Sequence, residues 1–312
     1  LRPTPLGLAL VLALLAAPGL AQVTCTYAVD PAIDFGTLIG VPTPQIDVMA
    51  TISVTCSALA SVNHRVCLSL PPGSGDLSIA DRRMVLGGHS VQYQLYADSG
   101  RTQVWGELGA GSPPVAVDFP LLVGQRTEVR TVYGRVFAGQ DGQAVGTYLS
   151  SLAPVARRQD YLVLPPDCQT VMGNTATLAS LSARLAIEPN CTITANPLSF
   201  GTVTGLTGHA ATSNLSVTCT VDAAYSIALD GGSITADVGD RRMRLGPGPD
   251  TVAYQLYRDA AHTSIWGDTA GITVSDTGTG NPESIPVYGF VPAQGPKPQG
   301  TYEDTVTATV TY

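Results

Sequence analysis

The sequence is short of charge and of the groups that usually carry chemistry. Only 13% of its 312 residues are charged, 6% are aromatic and four are histidine. Lysine and arginine are outnumbered by the acids, and the formal net charge is −8. An acidic chain without a basic cluster argues against nucleic acid as a partner, because phosphate contacts need gathered cations. No Gly-x-Ser-x-Gly, His-Glu-x-x-His or Cys-x-x-Cys occurs, and His64, His89, His209 and His262 are scattered. Nothing in the sequence therefore points to an enzyme, a metal site or a cofactor, and no catalytic, cofactor-binding or metal-ligating residue is expected. Beyond the first twenty or so residues, no apolar run approaches the roughly 20 residues of a membrane-spanning helix.

What is present points to an exported β protein. Arg2, an apolar run from about Leu6 to Ala17 and the small-x-small triplet Gly19-Leu20-Ala21 form a signal-peptide pattern over residues 1–21, with a mature chain expected from Gln22. The chain holds 33 glycines and 23 prolines. Between them lie short alternating runs of Val, Thr, Tyr and Leu, the composition of turns and half-buried strands.

The chain also repeats itself. Ser90–Glu107 and Thr251–Asp268 match at nine of eighteen positions and keep Trp105 and Trp266, the only tryptophans, in register. A repeat of this kind marks a duplicated structural unit. In this block Val91, Tyr93 and Leu95 alternate with Gln92 and Gln94, predicting a strand with one buried face, and the turn residues after it predict a β-hairpin that runs on to Trp105. The first unit orders its landmarks as Cys25, Asp-Phe-Gly-Thr (34–37), Val-Thr-Cys (54–56), Asp-Arg-Arg-Met (81–84), the Tyr-Gln-Leu-Tyr block, Val-Tyr-Gly (132–134) and Gly-Thr-Tyr (146–148). The second orders them as Cys191, Ser-Phe-Gly-Thr (199–202), Val-Thr-Cys (217–219), Asp-Arg-Arg-Met (240–243), the same block, Val-Tyr-Gly (287–289) and Gly-Thr-Tyr (300–302). Equivalent positions pair Cys25 with Cys56 and Cys191 with Cys219. Cys67 and Cys168 are left to each other, with metal ligation as the rival reading. The Asp-Arg-Arg repeat reads as an ion pair at a strand start, with anion binding as its rival.

This ordered set, found twice, resembles the spore coat protein U domain, the pilin-like module of archaic Csu-type chaperone–usher systems. The resemblance implies an all-β chain of two immunoglobulin-like sandwich domains, 22–188 and 189–312, the second lacking its final strand. It also implies a periplasmic chaperone, an outer-membrane usher and the donor strand of a neighbouring pilin as partners, with export through the periplasm to the cell surface. Family pilins carry a donor strand just before the first cysteine, and here Ala179, Leu181, Ala183, Leu185 and Ile187 alternate cleanly in that place, over about 177–188. The strand is expected to complete the first domain in cis. Only three residues separate the expected cleavage site from Cys25, which leaves no N-terminal donor and suggests the tip of a fibre. The closing row Val306, Ala308, Val310 and Tyr312 reads as a pilin strand whose domain remains open.

In the tip adhesin of such systems the first domain binds surfaces through apolar loops, in attachment or biofilm formation. Composition nominates Pro113, Pro114, Phe119, Leu121 and Leu122, the run Tyr161, Leu162, Val163, Leu164 and Pro165 beside Cys168, and the segment 69–77. The rival function is a spore or cyst coat protein exported by the same machinery.

Overall fold

The computed structural model describes residues 23–312, so the signal-peptide reading and Gln22 lie outside the described residues. The first half builds β1 (Thr24–Val29), β2 (Ala32–Ile39), β3 (Ile46–Ser69), β4 (Arg82–Leu86), β5 (His89–Tyr96), β6 (Val115–Val136), β7 (Gly146–Leu152), β8 (Val155–Tyr161), β9 (Asn174–Thr177) and β10 (Leu181–Glu188). They form one curled sheet in the order β2-β10-β7-β4-β5-β6-β3-β8-β9, with β1 paired to β3. The second half builds β11 (Cys191–Ala195), β12 (His209–Cys219), β13 (Ala224–Leu229), β14 (Arg242–Leu245), β15 (Thr251–Ala253), β16 (Gln255–Tyr257), β17 (Val274–Thr277), β18 (Glu283–Val291), β19 (Tyr302–Glu303) and β20 (Ala308–Thr311). Apart from one helical turn at Gly232–Thr235, all regular structure in the described residues is β.

Alternation explains the folding of each half around its own core. Ile52, Val54 and Cys56 of β3 are completely buried between half-exposed neighbours, and Val91, Tyr93 and Leu95 of β5 are completely buried as well. Gln92 faces outward as expected, but Gln94 is buried, because its amide donates to the Ile79 carbonyl at 3.0 Å. One core draws on residues from Val23 to Ile187 and the other on residues from Cys191 to Val291. The chain is thus all-β, with two immunoglobulin-like sandwich units. The halves touch where the β6–β7 connection bridges Ala144 to Val221 and packs Val145 on the second core.

Each half is pinned by a disulfide across its first strand pair, Cys25–Cys56 and Cys191–Cys219, and the first half adds Cys67–Cys168. The repeated Val-Tyr-Gly also has a packing cause. A Cβ on Gly134 would stand 3.0 Å from Ile33 and Val48 side-chain carbons, and one on Gly289 2.9 Å from Leu198 and Phe200, so glycine lets the Phe-Gly-Thr segment lie against the sheet.

The repeated block departs from the expected hairpin. β5 does form a hairpin, but with β4 before it, Leu86 facing His89. After Tyr96 the chain turns over Asp98, whose carboxylate accepts the amides of Thr102 and Gln103. It then makes only the single bridge Tyr96 to Val104. The second arm is cut short because Trp105 turns inward, fully buried, and donates its indole N–H to the Leu68 carbonyl at 2.8 Å. Trp266 does the same to Ile227 at 2.9 Å.

Candidate functional site

Two features set the halves apart, a strand-shaped gap and an apolar crest. In the first half the gap is filled. β10 runs parallel to β2, from Ser182 opposite Ala32 to Glu188 opposite Ile39, and antiparallel to β7, from Leu181 opposite Leu152 to Ile187 opposite Gly146. Leu181, Ala183 and Leu185 are completely buried and Ile187 nearly so. On the outer face Arg184 donates to Asp34 at 2.6 Å, and that hydrogen bond holds the Asp34 carboxyl below the usual carboxylate range. Ala179 does not join the inward row. It is exposed and precedes the strand, because β9 belongs to the β8 side of the sheet and the chain must break pairing between Thr177 and Leu181 to reach the gap. Leu178 is the residue that packs there instead.

In the second half no strand among the described residues enters the same gap. Tyr148 and Tyr302 are equivalent in the Gly-Thr-Tyr motif, and the spacing holds along the next strand: Arg157 pairs with Cys67 as Thr311 pairs with Ser226. β19 and β20 thus stand where β7 and β8 stand. Segment 197–204, equivalent to β2, has no strand partner among the described residues. Burial follows. Ile33, Tyr148 and Met84 are completely sealed and Phe35 and Leu152 nearly so, whereas Leu198, Tyr302, Met243, Phe200 and Val306 are only partly covered. Val306, Ala308 and Val310 rest on the second core as one row. Tyr312 leaves that row, half exposed, with its hydroxyl 3.4 Å from Asn190 Oδ1.

The crest crowns the other end of the first half. β3 and β6 run together from Ile46 opposite Val136 to Ala58 opposite Gly124, about 40 Å of strand. The pairing then slips, and both strands bend before resuming with His64 opposite Phe119. Trp105 and Trp266 anchor the comparison by bonding Leu68 and Ile227. The first half has four more residues between its second cysteine and that anchor, and they make the bend. Leu59, Leu121 and Val123 project from the bends at 96%, 71% and 64% exposure. Beside them, where β8 ends, Leu162, Val163 and Leu164 project at 94%, 83% and 81%.

The nominated loop residues therefore divide. Leu121, Leu162, Val163, Leu164 and the exposed Pro165 lie on the crest, and Tyr161 is half-buried at its base. Phe119 and Leu122 are withdrawn into the core, and Pro114 is buried while Pro113 is exposed away from the crest, so these three buried residues cannot meet a partner. They share strand β6 or its approach with Leu121, and composition cannot separate the two faces of a strand. Val123 continues the apolar run of Leu121 and Leu122, whereas Leu59 carries no sequence signal beyond isolated apolarity and was legible only from the bend.

The Asp-Arg-Arg motif splits in the same way. Arg83 pairs with Asp81 and Arg242 with Asp240 at the surface, each at 2.9 Å. The preceding arginines, Arg82 and Arg241, are completely buried, a role the ion-pair reading missed although Arg82 shares parity with the inward Met84. Arg82 pairs with the equally buried Asp76 at 2.9 Å and donates to the Leu70 and Pro71 carbonyls. Segment 69–77 thus supplies an internal counter-ion. Arg241 instead donates to the Leu229 and Asp230 carbonyls and to Gln255, and burial pulls it below the usual guanidinium range. Elsewhere Cys25, Cys56 and His64 come together, but both sulfurs are spent in the disulfide and His64 is held by Asp160 at 2.5 Å.

The chain is similar to several known proteins. A segment of 106 residues, 32% of the chain, is 41% identical to Protein U of Myxococcus xanthus and spans 59% of that protein's length. A chain of the CsuC–CsuE chaperone–tip adhesion subunit pre-assembly complex from the archaic chaperone–usher Csu pili of Acinetobacter baumannii is similar at 16% identity and TM-score 0.47, covering 92% of this chain and 100% of the matched one. The CupB6 tip adhesin of Pseudomonas aeruginosa is similar at 12% identity and TM-score 0.38, covering 93% of each. The Spore Coat Protein U domain model matches residues 11–153 and again residues 177–309, and by these two matches the chain belongs to the Spore Coat Protein U domain family.

Proposed function

We propose that this protein is an exported, non-catalytic fimbrial subunit that ends a chaperone–usher fibre and attaches through its crest. The observation that carries the reading is the pair of gaps: one closed by β10 of the same chain, the other lined by Leu198, Phe200, Tyr302 and Val306 and lacking a strand. An apolar gap between unpaired backbone edges is an aggregation hazard unless covered. A strand added by β-augmentation covers it, first from a periplasmic chaperone at the usher and then from the next pilin. Burying four apolar side chains in the manner of β10 is worth on the order of 1.5–3 kcal/mol each. Because β10 is consumed inside the first half, that half accepts no strand, and its far end is free to carry the crest. Rigid apolar prominences suit an extended apolar surface better than a small ligand, which prefers a concavity.

The test uses the full chain, purified with its chaperone, and a peptide with the donor-strand sequence of a neighbouring pilin, with hydrogen exchange followed in each half. The expected outcome is new protection at 197–204 and 300–308 alone, with the first half protected from the start. Protection gained in both halves, or in neither, would sink the terminal position and favour lateral packing in a coat.

A further inference from the structure

Asn63, Arg65 and Cys67 stand two residues apart on one face of β3. The alternate residues His64, Val66 and Leu68 turn into the core. All three outer residues reach both the segment after β8 and strand β6. The Asn63 amide nitrogen donates to the Leu162 carbonyl at 3.2 Å, and its oxygen accepts the Leu121 amide at 2.9 Å. Arg65 donates to the Pro166 carbonyl at 2.7 Å and grips both oxygens of Asp118 at 2.6 Å. Cys67 is bonded to Cys168, and Ala116 packs on the bridge. Residues 121, 118 and 116 descend β6 as 63, 65 and 67 ascend β3, so the rungs lie one above another.

We infer that this row is a positioning device, in which Asn63, Arg65 and Cys67 immobilise the crest before it meets anything. The use of that rigidity in attachment rests on the function proposed above. A loop of bare leucines and valines gains by folding onto itself, and holding it outward needs fixed anchors on the backbone itself. Two of the three rungs seize main-chain carbonyls of the crest segment, and the first also seizes a main-chain amide. Leu121 needs that hold most: its φ of 49° is left-handed, which a branched side chain rarely adopts. An ordered crest forfeits little freedom when it binds, which is the usual route by which pre-organisation raises affinity. The second half shows the contrast. Counting back from the tryptophan anchors, the equivalents of Asn63, Arg65 and Cys67 are Asp222, Ala224 and Ser226, which form no such row.

The test compares the full chain with its Asn63→Ala, Asn63→Asp and Arg65→Lys variants by amide hydrogen exchange and by retention on octyl-coated beads. Asn63→Ala is expected to speed exchange at Leu121 and across 161–168 by about tenfold, the scale of one lost hydrogen bond, and to cut retention by a similar factor. Asn63→Asp keeps the acceptor for Leu121 and loses the donor, so faster exchange is expected at 161–168 only. Arg65→Lys removes the fork and falls between the two. The melting temperature of the first half should move by no more than a few degrees, since none of these side chains is in the core. Unchanged exchange at Leu121 and 161–168 in Asn63→Ala overturns the positioning row. Faster exchange with undiminished retention overturns its part in attachment. A wild-type chain that the beads do not retain refutes the function proposed for the crest, while exchange alone still judges the row.

Discussion

In the first half Ile33, Phe35 and Tyr148 lie sealed beneath a strand of the same chain, while in the second Leu198, Phe200 and Tyr302 line a gap without one. The residue types at these positions are nearly the same, and so are the flanking motifs. What differs is the strand: β10 enters the gap of the first unit, and no strand among the described residues enters that of the second. The same unit can thus stand with its gap sealed or with its gap open, and the motifs shared by the two halves do not decide which. The buried arginines repeat the lesson. Arg82 has the carboxylate of Asp76, where the second half has Thr235 in a loop of equal length, and Arg241 manages with carbonyls and an amide oxygen, while Asp304, in the place of Ser150, accepts from Tyr254 at 2.7 Å.

The sharpest way to break the comparison is Leu185→Asp. A charge at a site of zero exposure adds to the loss of a packed side chain, a cost above about 5 kcal/mol. Calorimetry should show the transition of the first half abolished and that of the second unmoved. Next, Asp76→Ala leaves Arg82 charged and unpaired in the core, a loss of about 3–5 kcal/mol. Asp304→Ala, at a partly exposed position just after β19, removes hydrogen bonds worth about 1–2 kcal/mol, so denaturant unfolding of the two variants should rank the halves in that order.

Removing one strand-pair disulfide should erase the difference between halves. The closed loops span 31 and 28 residues, so Cys25/Cys56→Ala and Cys191/Cys219→Ala each cost about 3–4 kcal/mol on the chain-entropy model, and chemical denaturation should find the two losses equal. The smallest effect belongs to Arg184 and Asp34. Because the pair holds the folded carboxyl below its unfolded value of about 3.9, its stabilisation is complete above that pH and fades as pH falls through the lower folded value. Arg184→Ala should therefore remove a small acid-side slope from the first half's stability. The second half has Ser199 in place of Asp34 and should show no matching change.

Much of this was readable from residue order. The register of Trp105 with Trp266 announced two units, and equivalent cysteines gave the two strand-pair bridges. The alternation of Leu181, Ala183, Leu185 and Ile187 announced a half-buried strand, because a period of two survives in any β environment. Ala179 continued the same alternation and still fell outside, since the position where a strand begins is set by which neighbour it must leave. Phe119 and Leu121 are two residues apart, and simple alternation would put both on the same face. The bend at Pro120 to Val123 and the left-handed Leu121 turn one inward and the other out, and no propensity foretells that.

By itself, then, the sequence determined composition, period and repetition: an all-β chain, two sandwich units, the pairing of equivalent cysteines and a strand with one apolar face. The tertiary structure decided everything that depends on long-range register. It placed β10 between β2 and β7, paired Arg65 with Asp118, and drew the bends of β3 and β6 together with the segment after β8. Local preference reaches only a few residues along the chain. These contacts join positions tens to more than a hundred residues apart, and packing and backbone hydrogen bonding across the whole sheet choose among them.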